Sequence, residues 1–177
     1  MKRIAITGPE STGKTTITKQ LAEHFQVKWF PEYAREYLTE KGPMYERSDL
    51  LIIAEEQEKR RRENEQNDQV AFYDTENIVI KVWSDFKYKT IDPKLIDLVK
   101  NQEFDYYFLS DPKGMKWEHD PLRENPLGRK TLFELYKKEL EDHHYPYTVL
   151  SGNRSERIEK AINITEDILL SGGGFCV

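Results

Sequence analysis

The sequence predicts a three-layer α/β protein: a parallel five-stranded sheet with helices on both faces and a lid segment over one end. Three observations predict it. Apolar bursts recur along the 177 residues with long amphipathic stretches between them, the rhythm of alternating strands and helices. The first burst runs directly into Gly8-Pro9-Glu10-Ser11-Thr12-Gly13-Lys14-Thr15, which fits G-x-x-x-x-G-K-[ST]. The stretches between bursts are long enough for the crossovers that parallel strands require.

The elements follow in order. Residues 3–7 form an apolar run of the length of one buried parallel strand. After the glycine loop, residues 16–25 carry Ile17, Leu21 and Phe25 at four-residue steps, as one helix face does. Residues 27–30 are the second burst, followed by Pro31-Glu32-Tyr33-Ala34-Arg35-Glu36. A long helix from about 46 to about 66 then presents Leu50, Ile53, Ala54 and Gln57 together. Residues 70–73 are the third strand and end at Asp74. Asp92-Pro93 reads as an N-cap with a first-turn proline, opening a short helix through Ile96 and Val99. Residues 106–109 form the fourth strand, and Leu132, Phe133, Tyr136 and Leu140 a helical stripe after it. Residues 147–150 are the fifth strand, with Ile158, Ala161, Ile162, Thr165 and Leu169 on the last helix. Ser171-Gly172-Gly173-Gly174 stops that helix. The expected organisation is one domain over residues 1–170 with a flexible tail over 171–177.

Composition narrows the function classes. Charged residues make up 33% and hydrophobic ones 37%, as in a globular protein with a wet surface. No apolar run approaches the ~20 residues that cross a bilayer, and Met1-Lys2-Arg3 leads straight into a strand, so no membrane partner and a cytoplasmic address are expected. The one cysteine, Cys176, rules out an intrachain disulfide framework. Net charge is −5, from 27 basic and 32 acidic residues, which argues against a broad nucleic-acid surface. The one basic cluster, Lys59-Arg60-Arg61-Arg62, follows Glu55, Glu56 and Glu58 at four-residue spacing and reads as a solvated helix face.

The chemistry begins at the glycine loop. Strand, loop and helix start in that order aim backbone N–H groups and the positive end of a helix dipole at one point. Lys14 is expected to reach the β- and γ-phosphates of ATP, and the Thr15 hydroxyl to hold Mg²⁺. Gly8, Glu10, Ser11, Thr12, Gly13 and Thr16 complete the expected nucleotide cradle. An acid at the carboxyl end of a neighbouring parallel strand is where the second Mg²⁺ contact belongs, and Asp74 has that place. Its alternative role is to cap the following helix. Phosphorylating a hydroxyl calls for a carboxylate that accepts its proton. Glu32, at the end of the second strand, is the first candidate and Asp74 the second, with Arg35 a helical step beyond Glu32. The same acids also suit a plain helix N-terminus.

Residues 110–128 are nineteen residues rich in proline, glycine and charge, too long for an idle connection in a compact α/β domain. Asp120, Arg123 and Arg129 make this segment a candidate lid, closing over phosphates and excluding water. Ser151-Gly152-Asn153 follows the fifth strand where Asn153 could touch an adenine edge, with Arg154 and Arg157 nearby; the same residues also make ordinary turns. Leu170-Ser171-Gly172-Gly173 copies the transporter-ATPase signature but comes at the end of the chain, past the Walker-B position. His24, His119, His143 and His144 lack metal-ligand spacing, and no guanine-reading Asn-Lys-x-Asp is present.

Taken together, the Gly-Pro-Glu-Ser-Thr-Gly-Lys-Thr loop, Pro-Glu-Tyr-Ala-Arg-Glu-Tyr, Asp-Thr-Glu and the Asp-x-x-Arg of the lid resemble the NadR-type ribosylnicotinamide kinase family. The run from Phe133 through Pro146-Tyr147 to Ser151-Gly152 resembles it too, so the likeness spans nearly the whole chain. The resemblance implies a P-loop kinase fold, an AAA-like ATPase domain with sheet order 2-3-1-4-5. It implies transfer of the ATP γ-phosphate to the 5′-hydroxyl of nicotinamide riboside. By that likeness Lys14 and Thr15 handle phosphate and Mg²⁺, Glu32, Tyr33, Arg35 and Asp74 face the riboside, and Arg123 and Arg129 belong to the lid. Two departures stand out. The bifunctional relatives carry a nucleotidyltransferase domain ahead of the kinase, whereas Met1 here opens the first strand, so adenylyl transfer is not expected. An aromatic residue that stacks on the pyridine ring precedes Glu-Tyr in the family; here the position is Pro31, and Trp29, Trp83 or Tyr33 are the substitutes at hand. Other acceptors on the same fold (a deoxynucleoside, a nucleotide, another small hydroxyl compound) and a nucleotide-switched interaction module are the alternative functions.

Overall fold

A computed structural model describes residues 1–42, 44–63, 68–118, 120 and 127–171. The strands are β1 (Lys2–Thr7), β2 (Trp29–Phe30), β3 (Val70–Asp74), β4 (Tyr106–Ser110) and β5 (Tyr147–Leu150). They lie parallel in the order β2-β3-β1-β4-β5. Ile6 pairs with Asp74 and Thr7 with Leu109, so the carboxyl ends of the three central strands finish side by side. Gly8 follows at φ +125°, and a Cβ on it would meet the Ser110 carbonyl at 2.8 Å, so only glycine lets β1 turn here against the end of β4.

Side chains alternate across the sheet with the period of two that strands impose. Ile4, Ile6, Phe72 and Phe108 face α1 (Lys14–Phe25) and α7 (Arg154–Ser171), where Ile17, Leu21 and Ala161 complete a dry layer. Ala5, Tyr107 and Leu109 face α4 (Asn77–Tyr88), α5 (Pro93–Asn101) and α6 (Arg129–Asp142) on the opposite side. A third cluster joins α2 (Tyr33–Lys41) and α3 (Arg47–Glu63) to α4 and α5 through Leu38, Ile53, Ile80 and Leu95. Because strands β1, β3 and β4 are covered on both faces, they read as continuous apolar runs.

Four local expectations change on folding. β2 is two residues, shorter than residues 27–30, because the Val27 amide donates to the Ala22 carbonyl and closes the end of α1. The cap of α4 is Glu76, whose carboxylate accepts from the Ile78 amide at 2.7 Å, so Asp74 is not the cap. Helices α2 and α4 each add a full element that apolar periodicity had not marked off. The basic cluster on α3 is not a simple solvated face. Arg62 and Arg60 do pair with Glu58 and Glu56, at 2.7 and 3.1 Å. Arg61, however, is 6% exposed and grips Glu58 in a buried bidentate pair, while Arg60 reaches across to Glu36 on α2 and lies over the Tyr33 ring. Among the described residues no helix is long and apolar enough to cross a membrane.

Candidate active site

Backbone conformation shapes the loop between β1 and α1. Gly8, Ser11 and Gly13 all hold positive φ, and the Thr12 hydroxyl donates to the Pro9 carbonyl at 2.8 Å, folding the loop on itself. Gly13 sits at the N-cap of α1 with no side chain in front of the first helical amides, which leaves them aimed outward. The Lys14 ammonium donates to the Gly8 and Pro9 carbonyls at 2.9 and 3.0 Å. Gly8, Glu10, Ser11, Thr12, Gly13, Lys14, Thr15 and Thr16 thus form the floor of one cleft of about 160 Å³.

Two carboxyls stand beside that floor. The Thr15 hydroxyl donates to Asp74 Oδ2 at 2.6 Å, and Asp74 Oδ1 is buried with no hydrogen-bond partner among the described residues. A hydroxyl and an acid with one orphan oxygen at a strand end fit Mg²⁺, which takes few protein oxygens and keeps the rest for water and phosphate. The next residue fixes the strand end: Thr75 adopts φ +79°, costly for a β-branched side chain, while its amide donates to the Ile6 carbonyl at 3.0 Å. Glu32 is half-buried at the N-cap position of α2 but makes no cap hydrogen bond, leaving its carboxyl for the cleft. Burial pushes Glu32 up to about 7; Asp74 and Glu10 push the same way, and Lys14 and Arg35 oppose them. Burial likewise raises Asp74, against Lys14 and the Thr15 hydroxyl.

The segment after β4 comes back over the cleft. Met115 and Glu118 line it, and a Cβ on Gly13 would touch Met115 Cε at 3.6 Å. Arg129, first residue of α6, donates to the Met115 carbonyl at 3.0 Å and the Ser11 carbonyl at 3.4 Å, beside the Trp117 ring. Arg35 lines the cleft and forms a 2.8 Å ion pair with Asp120. Arg123 and Cys176 lie outside the described residues.

Some expected neighbours are elsewhere. Asn153 shares a capping box with Glu156: its Oδ1 accepts from the Glu156 amide at 3.1 Å and its own amide donates to Glu156 Oε2 at 2.8 Å. The residue of that loop lining the cleft is Arg154. Tyr33 turns away from Glu32 into a second cavity of about 300 Å³, between β2, β3 and the later turns of α3. Trp29, Phe30 and Phe104 wall it, and Pro31 also lines it, so Pro31 and Tyr33 face one cavity and Glu32 and Ala34 the other. Two oxygens on its wall, Gln57 Oε1 and Thr75 Oγ1, are buried without a partner among the described residues. Trp83 instead reaches the first cleft, where Val79, Leu132 and Tyr136 form an apolar end. Periodicity had marked Leu132, Tyr136 and Gln57 only as helix-face residues. Thr75 stood unremarked inside Asp-Thr-Glu, since no local pattern tells an orphan hydroxyl from a turn.

Residues 3–157 match the protein family described as an AAA domain. Among solved structures, the chain is similar to a NadR protein in complex with NR, at 21% identity and a TM-score of 0.77 over 94% of this chain and 51% of that one. A NadR protein in complex with NAD and AMP-PNP aligns at 22% identity and 0.75, over 94% and 49%. The deoxyadenosine kinase of M. mycoides with bound dATP aligns at 17% identity and 0.65, over 94% and 100%. The chain therefore spans about half the length of the NadR structures it matches. At these identities the likeness is one of fold, a P-loop kinase fold with the 2-3-1-4-5 sheet.

Proposed function

The chain belongs to the AAA-domain family, and from that membership and its P-loop kinase fold we propose an ATP-dependent kinase acting on the 5′-hydroxyl of a riboside. Nicotinamide riboside is the proposed acceptor and nicotinamide mononucleotide the product. The observation that carries the proposal is Glu32: a carboxyl without a cap partner, pushed up to about 7, in the same cleft as Lys14 and the glycine loop. A general base works best with a pKa near the operating pH.

In the proposed reaction Glu32 accepts the proton of the acceptor hydroxyl. The freed oxygen lone pair forms a bond to the γ-phosphorus, and the bond from that phosphorus to the β–γ bridging oxygen breaks, releasing ADP. Lys14 and the loop amides spread the charge of the transferring group, and Arg35 and Arg129 are placed to add to it once freed from Asp120 and the loop carbonyls. Arg123 is the remaining proposed lid residue. Thr15 and Asp74 are proposed to hold Mg²⁺, which when bound neutralises β- and γ-phosphate charge. Because Asp74 Oδ2 is already engaged by Thr15, Glu32 rather than Asp74 is assigned the base. Gly8, Glu10, Ser11, Thr12, Gly13 and Thr16 complete the proposed ATP site. The proposal does not use Asn153, whose polar atoms serve the α7 cap.

The acceptor ring is proposed to lie at the apolar end of the first cleft, which Glu32 also lines. Trp83 offers a ring there in place of an aromatic at Pro31, whereas Trp29 and Tyr33 line the second cavity with Lys19 and Arg60 over their rings. The proposal takes residues 1–170 as one cytoplasmic kinase domain with a lid over 110–128. A coupled ADP-release assay across nicotinamide riboside, deoxynucleosides and nucleotides tests it. Turnover with nicotinamide riboside is expected. Turnover with a deoxynucleoside alone would reassign the acceptor, and ADP release independent of every acceptor would sink the kinase.

A further inference from the structure

A buried charge on the far side of the glycine loop has no part in the chemistry above. Arg157, in the first turn of α7, is 1% exposed. Its Nε donates to the Gly152 carbonyl at 2.8 Å, and its two terminal nitrogens make longer contacts of 3.4 Å with the carbonyls of Thr12 and Lys113. The three acceptors belong to three separate segments: the β5–α7 turn, the glycine loop and the start of the lid. Burial drives its pKa down and Asp111 alone pushes back, yet a guanidinium starts so high that it stays charged. All its hydrogen bonds among the described residues end on backbone carbonyls, which is an expensive way to keep a cation inside a protein.

The place of that cation suggests its use. The Thr12 carbonyl shares a peptide group with the amide of Gly13, and Gly13 lines the cleft. A positive charge at the carbonyl oxygen polarises the peptide and makes its N–H a stronger donor. The charge is also held out of water behind the loop, where its attraction for a polyanion in front is weakly screened. Arg129 makes a similar contact one peptide earlier, at the Ser11 carbonyl. Arg157 does not line the cleft, whereas Arg154 does.

We propose that Arg157 is a positioning residue for the donor phosphates: it fixes the glycine loop from behind and supplies positive potential to the triphosphate without touching it. This rests on reading the cleft as a triphosphate site. Sequence alone hides it, because Arg157 looks like any arginine on an exposed helix turn.

The test compares the wild-type chain with Arg157→Met and Arg157→Lys, by calorimetry with MgATP and with magnesium tripolyphosphate, alongside thermal melts. Arg157→Met removes the charge at similar length and should weaken both ligands about tenfold or more. Arg157→Lys keeps a charge but cannot span three carbonyls, so it should recover part of the loss. Tripolyphosphate carries no adenosine, so a parallel loss for both ligands locates the effect at the phosphates. In kinetics the loss should fall on the KM for ATP more than on kcat. Equal affinities in all three proteins would overturn the proposal. So would the absence of a cooperative melt in Arg157→Lys, which would make the residue a requirement for folding. If the wild type bound neither ligand, the triphosphate reading itself would fail first.

Discussion

The two cavities on either side of the segment from Pro31 to Arg35 are built on opposite plans. The floor of the first is one continuous stretch, Gly8 to Thr16, and its charges confront one another: Lys14 with Glu32 and Asp74. The second is assembled from β2, α3, β3, the start of α4 and the end of α5, and its two arginines are already paired. Arg61 is locked to Glu58 and Arg60 to Glu36, and Lys28, Glu76 and the neutral oxygens of Gln57 and Thr75 stand beside them. A cleft of opposed, partly desolvated charges handles anions and protons. The difference teaches where each kind of mutation should act.

The harshest way to break the contrast is Lys14→Ala. Turnover should fall by at least about 10²–10³-fold, while the melting temperature holds, because among the described residues the ammonium bonds only to carbonyls of its own loop. Full activity in steady-state assays would remove the charged character of the first cleft. For Glu32→Gln, kcat should fall about 10²–10⁴-fold with little change in the acceptor KM. Glu32 is pushed up to about 7, so its base form is lost as pH falls through that value. The acid limb of the wild-type kcat/KM profile should therefore vanish in the variant, and its persistence would point to another base.

On the neutral side, burial pushes Glu76 from 4.5 up to about 7, against hydrogen bonds from the Ile78 amide, Gln102 and Thr7. Between those values the folded state holds a proton that the unfolded state has released. Its contribution to stability is complete below 4.5 and is lost as pH rises through 7, by about 3 kcal/mol at most. Denaturant midpoints at pH 5 and pH 8 should show this slope in the wild type and less of it in Glu76→Gln; equal slopes would mean Glu76 is charged throughout. Gln57→Met should cost about 1 kcal/mol at most, since it ends the 3.5 Å donation from Gln57 Nε2 to Asn77 Oδ1 at similar volume, and should leave the KM values of acceptor and ATP unmoved, because Gln57 faces the second cavity. A rise in either KM value would merge the two cavities into one. The smallest effect belongs to Asn153→Ala, a loss of about 1 kcal/mol from the α7 cap without change in ATP affinity. A weakened ATP affinity would return Asn153 to the nucleotide.

Legibility followed the same divide. The P-loop, its strand and its helix could be read because every contact that shapes them is local, including the Thr12–Pro9 bond and the glycine at the α1 N-cap. The order of the strands came with the family resemblance, and the pairing of Ile6 with Asp74 agrees with it. Asn153 shows the limit on the other side: Ser-Gly-Asn fits an adenine contact or a cap equally well until Glu156 is seen closing the box. The basic run on α3 failed as a solvated face because spacing counts charges but does not say which side of a helix another element covers. That side is decided by β3, α4 and Phe104.

Taken alone, the sequence determined the alternation of strand and helix, the glycine loop with Lys14 and Thr15, and the acid that closes the third strand. These are properties of neighbours along the chain, written in spacing and backbone permissiveness. Only the tertiary structure decided that Glu76 rather than Asp74 caps α4, that Glu32 and Tyr33 part into different cavities, and that Arg157 is buried behind the loop. Those outcomes depend on which surfaces lose water together, and residues as far apart as Thr12 and Arg157 come to share one peptide's field only when the sheet brings the ends of its strands into line.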